Sequence, residues 1–471
     1  MTSRTRFVSA LCVSLCASGA LVAPDALAHG GFPRAFQILV EPGNADDIIL
    51  RSDLWGFFRT RDGGQTWQWT CAEVYGADSL SVNHNPMALA PGGRLFVTNS
   101  FKGLFHTDDG CDWTPSTDFA DKLVTDVELD HTNVYVVTST NTNTEAGVEG
   151  LVWKSTENGD HFQKLGVPFP TNLAATQLGI APSDDKRLYV TGRELEATPG
   201  TLLRSDDGGA SWKTTPIPTT DSLMTLRIAG IHATRPDVLV IWADLLEGLG
   251  QDSFDEIWIT ADGGGTFKKI YSGAGDLPGF AFSPDGTEIM VAGPKEGLML
   301  AKLDDALANG QSAFTQMIAT PLRPTPKDRQ VWGLHWDQSG LLGGVDNFTA
   351  RGVPAFTFGA WMDSDKDFSQ IMNVCQAAYD ACQKGSDVRT ACNKAYDDPA
   401  GGFLQDYLES SRCVGNAGKD AGTGGGAAPA PKDSGGCALP GARAEESSTS
   451  SAWVAGAFLA ALGFARRRRN R

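Results

Sequence analysis

Charged residues recur just after a repeated pair of strands, where carboxylates and guanidinium groups could act on a ligand. Two carboxylates in one cleft can be the acid and base of glycosidic bond hydrolysis, and a carboxylate beside an arginine can bind a polar ligand. The solvated mouth of a channel would show the same polarity, so both interpretations stay open. We call the candidates the hub residues, and they are Arg51, Asp53, Arg193, Glu194, Asp244 and Asp346.

Metal chemistry has weaker support in the sequence. Asp363, Asp365 and Asp367 have the spacing of the first ligands of a calcium loop. However, Phe368 replaces the turn glycine, and Val374 stands where a bidentate glutamate is needed. We therefore predict no metal site and no cofactor.

An eight-residue pattern, which we call a box, sets the positions of these residues along the chain. It has Ser or Thr first, Asp third, Gly fifth, Ser or Thr seventh and an aromatic residue eighth. Boxes begin at Thr60, Ser205 and Thr260, and degraded copies begin at Thr107, one residue short, and at Ser155, with Glu for Asp. The acid and aromatic of the five boxes are Asp62 and Trp67, Asp109 and Trp113, Glu157 and Phe162, Asp207 and Trp212, and Asp262 and Phe267.

The spacing of the boxes predicts the fold. Successive boxes begin about 50 residues apart, which is the length of one four-stranded propeller blade. A short apolar strand precedes each box, and two alternating strands joined by a Pro/Asp/Gly turn lie upstream. The strand pair recurs at 280–291 and 331–342, followed by degenerate box regions at 304–314 and 363–368. Five clear and two degenerate repeats predict an all-β, seven-bladed β-propeller over residues 29–370.

Within a box, the residues are expected to be structural. The acid or hydroxyl side chain folds back onto turn amides, glycines adopt conformations closed to other residues, and the aromatic ring fills the space between sheets. On these boxes, residues 30–370 resemble the Asp-box (BNR-type) repeat β-propellers, a superfamily that includes sialidases, xyloglucan-type endoglucanases, sortilin-type receptors and photosystem II assembly factors. The resemblance implies the fold and leaves the function open, because this scaffold serves hydrolases and binders alike.

Both hydrolase classes of the superfamily fit the sequence poorly. The Arg-Ile-Pro signature of sialidases is missing, and Phe32-Pro33-Arg34 is only loosely similar to it. Xyloglucan-type hydrolases place two aspartates across a cleft between two propellers, and only one propeller fits this chain. We therefore expect a non-enzymatic binding protein for a glycan, peptide or protein partner. A divergent glycoside hydrolase-like enzyme using acidic hub residues is the alternative.

Residues 371–415 are predicted to form a cysteine-stapled helical segment, with helices over 371–383, 387–396 and 403–408. We expect Cys382 to pair with Cys392, Cys375 with Cys413, and Cys71 with Cys111 across the first two blades. Four metal-binding thiols in the segment are the alternative, disfavoured because no paired CxxC spacing is present. The disulfide candidates are Cys71, Cys111, Cys375, Cys382, Cys392 and Cys413.

The two ends of the chain predict export. Arg4 and Arg6, an apolar stretch and Ala26-Leu27-Ala28 indicate a signal peptide over 1–28, with a retained membrane anchor as the alternative. Residues 416–450 are predicted to be a disordered linker containing the lone Cys437, and 451–471 a short transmembrane helix with an arginine cluster.

This tail resembles the C-terminal sorting tails of myxobacterial surface proteins (MYXO-CTERM-like). The resemblance implies processing and lipid anchoring near Cys437, so that the protein is held at the cell surface or outer membrane, or is extracellular. An ordinary C-terminal membrane anchor is the alternative.

The charge of the chain excludes some classes of partner. The net charge is −17, and the signal and tail regions are basic, so the remainder is more acidic still. Nucleic acid and anionic lipid are poor partners because their phosphates need a basic surface. An acidic surface mostly favours solubility, and cation binding is the alternative interpretation.

Overall fold

The computed structural model describes residues 35–52, 56–77, 85–100, 102–120, 122–139, 150–194, 200–219, 223–246, 253–274, 277–293, 296–317, 329–347, 360–362, 370–371 and 382–396. The predicted signal peptide, the linker and the sorting tail lie outside these residues. So do Asp53, Cys375, Cys413, Cys437 and the calcium-like segment 363–367.

The described strands form seven four-stranded antiparallel sheets, each built from four strands that are consecutive in the sequence. Sheet 1 contains β1 (Ala35–Glu41), β2 (Asn44–Ser52), β3 (Phe57–Thr60) and β4 (Gln68–Thr70); sheet 2 contains β5 (Met87–Leu89), β6 (Leu95–Asn99), β7 (Gly103–Thr107) and β8 (Thr114–Pro115); sheet 3 contains β9 (Val124–Leu129), β10 (Val134–Thr138), β11 (Leu151–Ser155) and β12 (Gln163–Leu165).

The remaining strands follow the same order. Sheet 4 contains β13 (Leu173–Ala181), β14 (Asp184–Glu194), β15 (Gly200–Ser205) and β16 (Lys213–Ile217); sheet 5 contains β17 (Leu223–Ile231), β18 (Leu239–Leu246), β19 (Ser253–Thr260) and β20 (Lys268–Ala274); sheet 6 contains β21 (Gly279–Phe282), β22 (Glu288–Gly293), β23 (Gly297–Lys302) and β24 (Thr315–Gln316); sheet 7 contains β25 (Arg329–Asp337), β26 (Gly340–Asn347), β27 (Ala360–Met362) and β28 (Gln370–Ile371).

The first strand of each sheet is the innermost one. Strands β1, β5, β9, β13, β17, β21 and β25 contact one another in that order, and β25 contacts β1. The sheets therefore surround a central channel, which is the arrangement of a β-propeller. Among the described strands, none is shared between sheets 1 and 7, and β1 packs directly against β25 and β26 at that seam.

The core consists of apolar layers between neighbouring sheets. Between sheets 2 and 3, for example, the ring of Phe162 lies 4.9 Å from that of Phe119 in an edge-to-face contact, and both join a buried cluster with Phe96 and Val136. Such aromatic contacts add to the free energy gained by burying apolar area. Each sheet therefore depends on its two neighbours for burial of its faces.

The complete boxes are closed by short hydrogen bonds within the turn. At the first box, the Thr60 hydroxyl donates to Asp62 (2.7 Å), and the amide and hydroxyl of Thr66 donate to the same carboxylate at 2.9 and 2.6 Å. The Gly64 amide donates to the Thr60 hydroxyl at 2.9 Å, with a φ of 89° that favours glycine. The boxes at Ser205 and Thr260 repeat this set of bonds.

Arginine side chains join the turns of neighbouring sheets. Arg59 donates two hydrogen bonds to Asp47 at 2.8 and 2.7 Å and one to the Gly93 carbonyl of sheet 2 at 3.0 Å. Arg204 of sheet 4 donates to the Gly263 carbonyl in the box of sheet 5 at 3.2 Å. The box side of the propeller is thus cross-linked from sheet to sheet.

Helices differ from the sequence expectation in two places. Where a degenerate box is predicted at 304–314, the structure has α1 (Leu303–Asn309) and a 3₁₀ helix over Gly310–Ala313. Asp304 and Asp305 occupy the first turn of α1, and Lys268 donates to carbonyls in its last turn, so the helix is stabilised at both ends. Further 3₁₀ helices span Ala72–Tyr75 and Thr117–Phe119.

In the C-terminal segment, α2 spans Asp387–Tyr396, as predicted. Ile371, predicted as the start of a helix and of the helical segment, belongs to β28, so the last sheet extends one residue beyond the expected boundary. Among the described residues, no helix has the length and apolar character needed to cross a membrane.

Two of the three predicted disulfides, Cys71–Cys111 and Cys382–Cys392, are wrong. Cys71 pairs with Cys392, and Cys111 pairs with Cys382, with Cα atoms 5.5 Å apart in each bond. The expectation favoured cysteines close in sequence. Instead, α2 packs against the 3₁₀ helix Ala72–Tyr75, and Cys392 of α2 and Cys382 just before it reach the cysteines that follow β4 and β7. The predicted pair Cys375–Cys413 lies outside the described residues.

Removing a box carboxylate should weaken the fold in a pH-dependent way. Partial burial would raise the pKa of Asp262, but hydrogen bonds from Thr266 and Thr260 outweigh it and lower the pKa to about 2. A carboxylate with a depressed pKa stabilises the fold above about pH 4 and loses that effect as the pH falls towards 2. Asp262→Ala should therefore cost about 1 kcal/mol at pH 7 in urea denaturation, and less at pH 2.5.

Asp185→Ala is the matched control, because Asp185 is an exposed acid at the start of β14. This variant should unfold like the wild type at both pH values. An equal loss in the two aspartate variants would contradict a specific role for the box carboxylate.

Candidate functional site

The described hub residues lie on the side of the propeller opposite the boxes. The Gly63 amide in the first box donates to the Asp46 carbonyl at 3.0 Å, which places the turn between β1 and β2 beside the box. Arg51 lies at the other end of β2, and Arg193, Glu194 and Asp244 lie near the same ends of β14 and β18. The second strands of these sheets all end on the same side of the propeller. This shared direction is why a common polar side could be expected from the sequence.

Both hub arginines bind the backbone of the next sheet. Arg51 is 4% exposed and donates to the Asn85 carbonyl, just before β5, at 3.1 Å. Arg193 is half-buried and donates to the Leu223 carbonyl at the start of β17 at 2.9 Å. These contacts join sheet 1 to sheet 2 and sheet 4 to sheet 5, so both arginines have a structural use whatever else they bind.

The described acidic hub residues lie on three different sheets. Glu194 accepts a hydrogen bond from the Asn172 side chain at 3.3 Å. Asp244 is half-buried on β18, opposite Thr225 of β17. Asp346 lies on β26 opposite Gln330, two sheets further around the ring. Asp53 lies outside the described residues.

A β-bulge near the start of four inner strands is followed directly by a polar residue. The register shifts fall in β1, β9, β13 and β17. A bulge adds one residue to a strand and re-aims the side chains beside it. The residues directly after the shift are Gln37, Asp126, Gln177 and Thr225.

Three of these side chains bind the backbone of the next inner strand. The Gln37 amide donates to the Met87 carbonyl at 3.4 Å. Asp126 accepts from the Leu178 amide at 2.8 Å. In the same way, Gln177 accepts from the Ile228 amide, also at 2.8 Å. In the wall of the channel, side-chain to backbone bonds therefore join β1 to β5, β9 to β13 and β13 to β17.

Asp126 and Glu128 form the acidic part of this wall. They are two residues apart on β9, so both side chains lie on the same face of the strand. Asp126 is fully buried, and burial together with the negative charge of Glu128 raises its pKa. Burial also raises the pKa of the half-buried Glu128 to about 7. Both carboxyl groups therefore bind a proton more readily than an exposed acid does.

Arg227 brings carboxylates of sheets 3 and 5 into one electrostatic cluster. Burial lowers the pKa of Arg227. The negative charges of Asp244, Asp126 and Asp255 act in the opposite direction and raise it, but burial has the larger effect. Its guanidinium carbon lies 5.3 Å from the centre of the Trp242 ring, within the range of a cation–π interaction. The Trp242 indole in turn donates to the buried Asp255 at 2.6 Å.

Of the hub residues that the structure describes, Asp244 belongs to this cluster. Asp126, Glu128, Arg227 and Asp255 were missed by the sequence prediction. A usable signal was present, because Asp126 and Glu128 interrupt the apolar pattern of Val124–Leu129. Among the described residues, no group of three or more His, Cys, Asp or Glu side chains is arranged to hold a metal ion.

Comparison with known sequences finds one local relative. A xyloglucanase from a Paenibacillus species is 32% identical over 116 residues, which cover 21% of this chain and 11% of that protein. The chain therefore spans about a tenth of the length of this curated relative. No family model matches the chain.

Solved structures with the same general architecture differ widely in their described roles. An ancestral GH74 enzyme is 13% identical with a TM-score of 0.42, over 70% of this chain and 40% of that one. YCF48 bound to D1 peptide is 15% identical with a TM-score of 0.43, over 66% and 89%. Hydrazine synthase of Kuenenia stuttgartiensis is 12% identical with a TM-score of 0.43, over 70% and 99%. The fold assignment rests on the sheet topology, and these likenesses carry no further argument.

The raised pKa of Glu128 gives a testable pH dependence. An acid whose pKa is higher in the folded state than in the unfolded chain favours folding at low pH, and that advantage is lost as the pH rises from about 4.5 through 7. Glu128→Gln should therefore match the wild type at pH 5 and be more stable at pH 8, by about 2 kcal/mol in urea denaturation.

Glu194→Gln serves as the control, because Glu194 is an acid at the end of β14 outside the β9 pair. It should retain the wild-type pH profile of stability. If Glu128→Gln shows no stabilisation at pH 8, the carboxyl of Glu128 is not desolvated in the channel wall.

Proposed function

We propose that the chain is an exported cell-surface β-propeller that binds a glycan, peptide or protein partner without catalysing a reaction. The burial of Asp126 carries this proposal. Glycoside hydrolysis needs two carboxyl groups that both reach the substrate. Glu128 is half-buried, but its neighbour Asp126 has no exposed surface and is bonded to the Leu178 amide. The described acidic pair of the channel therefore lacks an accessible second member.

The binding surface in this proposal is the side of the propeller that carries the hub residues. Arg193, Glu194 and Asp244 are half-buried there, so parts of their side chains reach solvent. This rim carries positive and negative side chains together with amide groups. Such a set of donors and acceptors suits hydrogen bonding to the hydroxyl groups of a glycan or to a peptide backbone. We place the partner on this rim.

We further assign the fold to a seven-bladed propeller of the Asp-box type. Seven four-stranded sheets support the number of blades. The boxes at Thr60, Ser205 and Thr260 each have the same hydroxyl–carboxylate–amide bonds, which supports a common turn motif.

The second candidate function is a divergent glycoside hydrolase. The 116-residue similarity to a Paenibacillus xyloglucanase favours it, and xyloglucan is then the first substrate to test. Asp53, Asp244 or Asp346 would supply the carboxyl groups.

Export and surface anchoring belong to the same proposal. The two disulfides are consistent with an extracellular or exported protein, because such bonds persist in oxidising compartments. We propose that the signal peptide over 1–28 directs export and that the tail over 451–471, with Cys437 before it, anchors the protein.

A binding screen tests the first proposal against the second. The purified chain is passed over immobilised glycans, including xyloglucan and peptidoglycan fragments, and over peptide arrays, and reducing-sugar release is measured in parallel. We expect binding without turnover, and a loss of affinity of about tenfold or more in at least one of Asp53→Asn, Asp244→Asn and Asp346→Asn.

Asp185→Asn is the matched control for this screen. Asp185 lies next to Lys186, whose carbonyl accepts from Gly208 in the box at Ser205, so it is on the box side of the propeller. Its replacement should leave affinity unchanged. Turnover of xyloglucan that one hub substitution abolishes would instead establish the hydrolase.

The anchoring proposal is tested at Cys437. Cys437→Ser should release the protein into the medium or leave an uncleaved precursor, as measured by cell fractionation and immunoblotting. Unchanged surface display of the variant would refute lipid anchoring at this cysteine.

A further inference from the structure

The described C-terminal residues 382–396, which we call the strap, dock onto the box at Thr107. The Val388 amide donates to the Cys111 carbonyl at 3.0 Å. The Asp387 amide donates to the Asp112 carboxylate at 3.2 Å, and Asp387 accepts from the Trp113 amide at 2.8 Å. Three hydrogen bonds thus join the start of α2 to one turn of sheet 2.

This box is also the copy that is one residue short. In a complete box, the residue before the aromatic donates both its amide and its hydroxyl to the box carboxylate, as Thr66 does to Asp62. In the short box, Asp109 accepts from the amides of Cys111 and Asp112, while the aromatic's own amide is bonded by Asp387 of the strap. The shortened turn therefore acts as the docking site of the strap, and Asp387 of the strap accepts the hydrogen bond from the Trp113 amide.

The two disulfides of the strap differ in accessibility. Cys71 and Cys392 are 1% and 0% exposed, and the bond between them lies under α2 against sheet 1. Cys382 is 4% exposed, but its partner Cys111 is half-buried, in a turn at the surface of sheet 2. Thiol–disulfide exchange requires that a thiolate reach a sulfur atom. The bond between Cys111 and Cys382 is therefore the one a reductant reaches first.

The strap also joins parts of the protein that are far apart in sequence. It follows sheet 7 in sequence, yet its disulfides reach sheets 1 and 2 across separations of 321 and 271 residues. Among the described residues, no strand is shared between sheets 1 and 7, and these two disulfides link the segment after sheet 7 covalently to the N-terminal part of the ring.

We propose that the strap is a two-stage redox latch, with Cys71–Cys392 as the permanent bond and Cys111–Cys382 as the bond that opens. A thiolate of a dithiol reductant attacks the Cys111 sulfur, and Cys382 leaves as a thiolate that takes up a proton. The second thiolate of the reductant attacks its own sulfur in the mixed disulfide. Cys111 is then released as a thiol, and the reductant becomes a disulfide. Opening frees Asp387 from the Trp113 amide while α2 stays tethered to sheet 1.

Graded reduction of the native full chain tests the latch. The protein is treated with increasing dithiothreitol at pH 8, quenched with N-ethylmaleimide and mapped by mass spectrometry of its peptides. We expect Cys111 and Cys382 to be labelled about tenfold or more faster than Cys71 and Cys392, with an unchanged circular dichroism spectrum. Equal rates, or earlier labelling of Cys71 and Cys392, would overturn the proposal.

The variant Asp387→Ala tests whether docking of the strap, and not only the exposure of a sulfur atom, controls the rate of labelling. Loss of the bond to the Trp113 amide should speed labelling of Cys111 and Cys382 severalfold and leave the rate at Cys71 and Cys392 unchanged. Asp305→Ala, in the first turn of α1, is the matched control and should label like the wild type. An unchanged rate in Asp387→Ala would show that the strap is not held by the short box. No ligand enters these measurements, so their outcome is independent of the proposed binding function.

Discussion

The ring of sheets depends on one constraint, which is that a four-stranded sheet cannot bury both of its faces alone. Each sheet is covered by its two neighbours, as the apolar cluster shared by Phe96, Phe119, Val136 and Phe162 illustrates. Stability is therefore a property of the closed ring, and the seam between sheets 7 and 1 matters as much as any other interface. In this chain that seam is packed without strand exchange, and the covalent bonds of the strap tie the end of the chain back to sheets 1 and 2.

The same constraint explains why polar side chains of the channel wall bind the backbone of the neighbouring sheet. Polar residues after the inner-strand bulges are used to hold the next sheet, as Asp126 holds the Leu178 amide and Gln177 holds the Ile228 amide. A carboxyl group used in this way is shielded from solvent and tends to stay protonated, which suits a structural bond better than acid–base catalysis. The carboxyl group of Asp126 is therefore part of the interface between sheets 3 and 4. On the rim, Arg193, Glu194 and Asp244 keep part of their side chains exposed.

The strap shows how a repeat that looks degraded can be adapted. The box at Thr107 lacks one residue and contains Cys111, and both departures from the pattern coincide with contacts to residues 382–396. A different solution is seen at the box of Ser155, where the Phe162 amide donates to Asp118, in the 3₁₀ helix Thr117–Phe119 that follows β8, at 2.9 Å. In both boxes an aspartate from another part of the chain satisfies the amide of the box aromatic residue.

Much of the fold could be predicted from the sequence because its signals are local. Box bonds such as Thr66 to Asp62 join residues four apart, and the strand pairs upstream of each box are joined by short turns, so composition and spacing alone indicate them. Contacts between distant residues were not accessible in this way. The pairing of Cys71 with Cys392, the burial of Asp126 and the position of Arg227 among three aspartates depend on how whole sheets and α2 pack. Sequence spacing carries no information on which faces meet, and for that physical reason only the tertiary structure decided them.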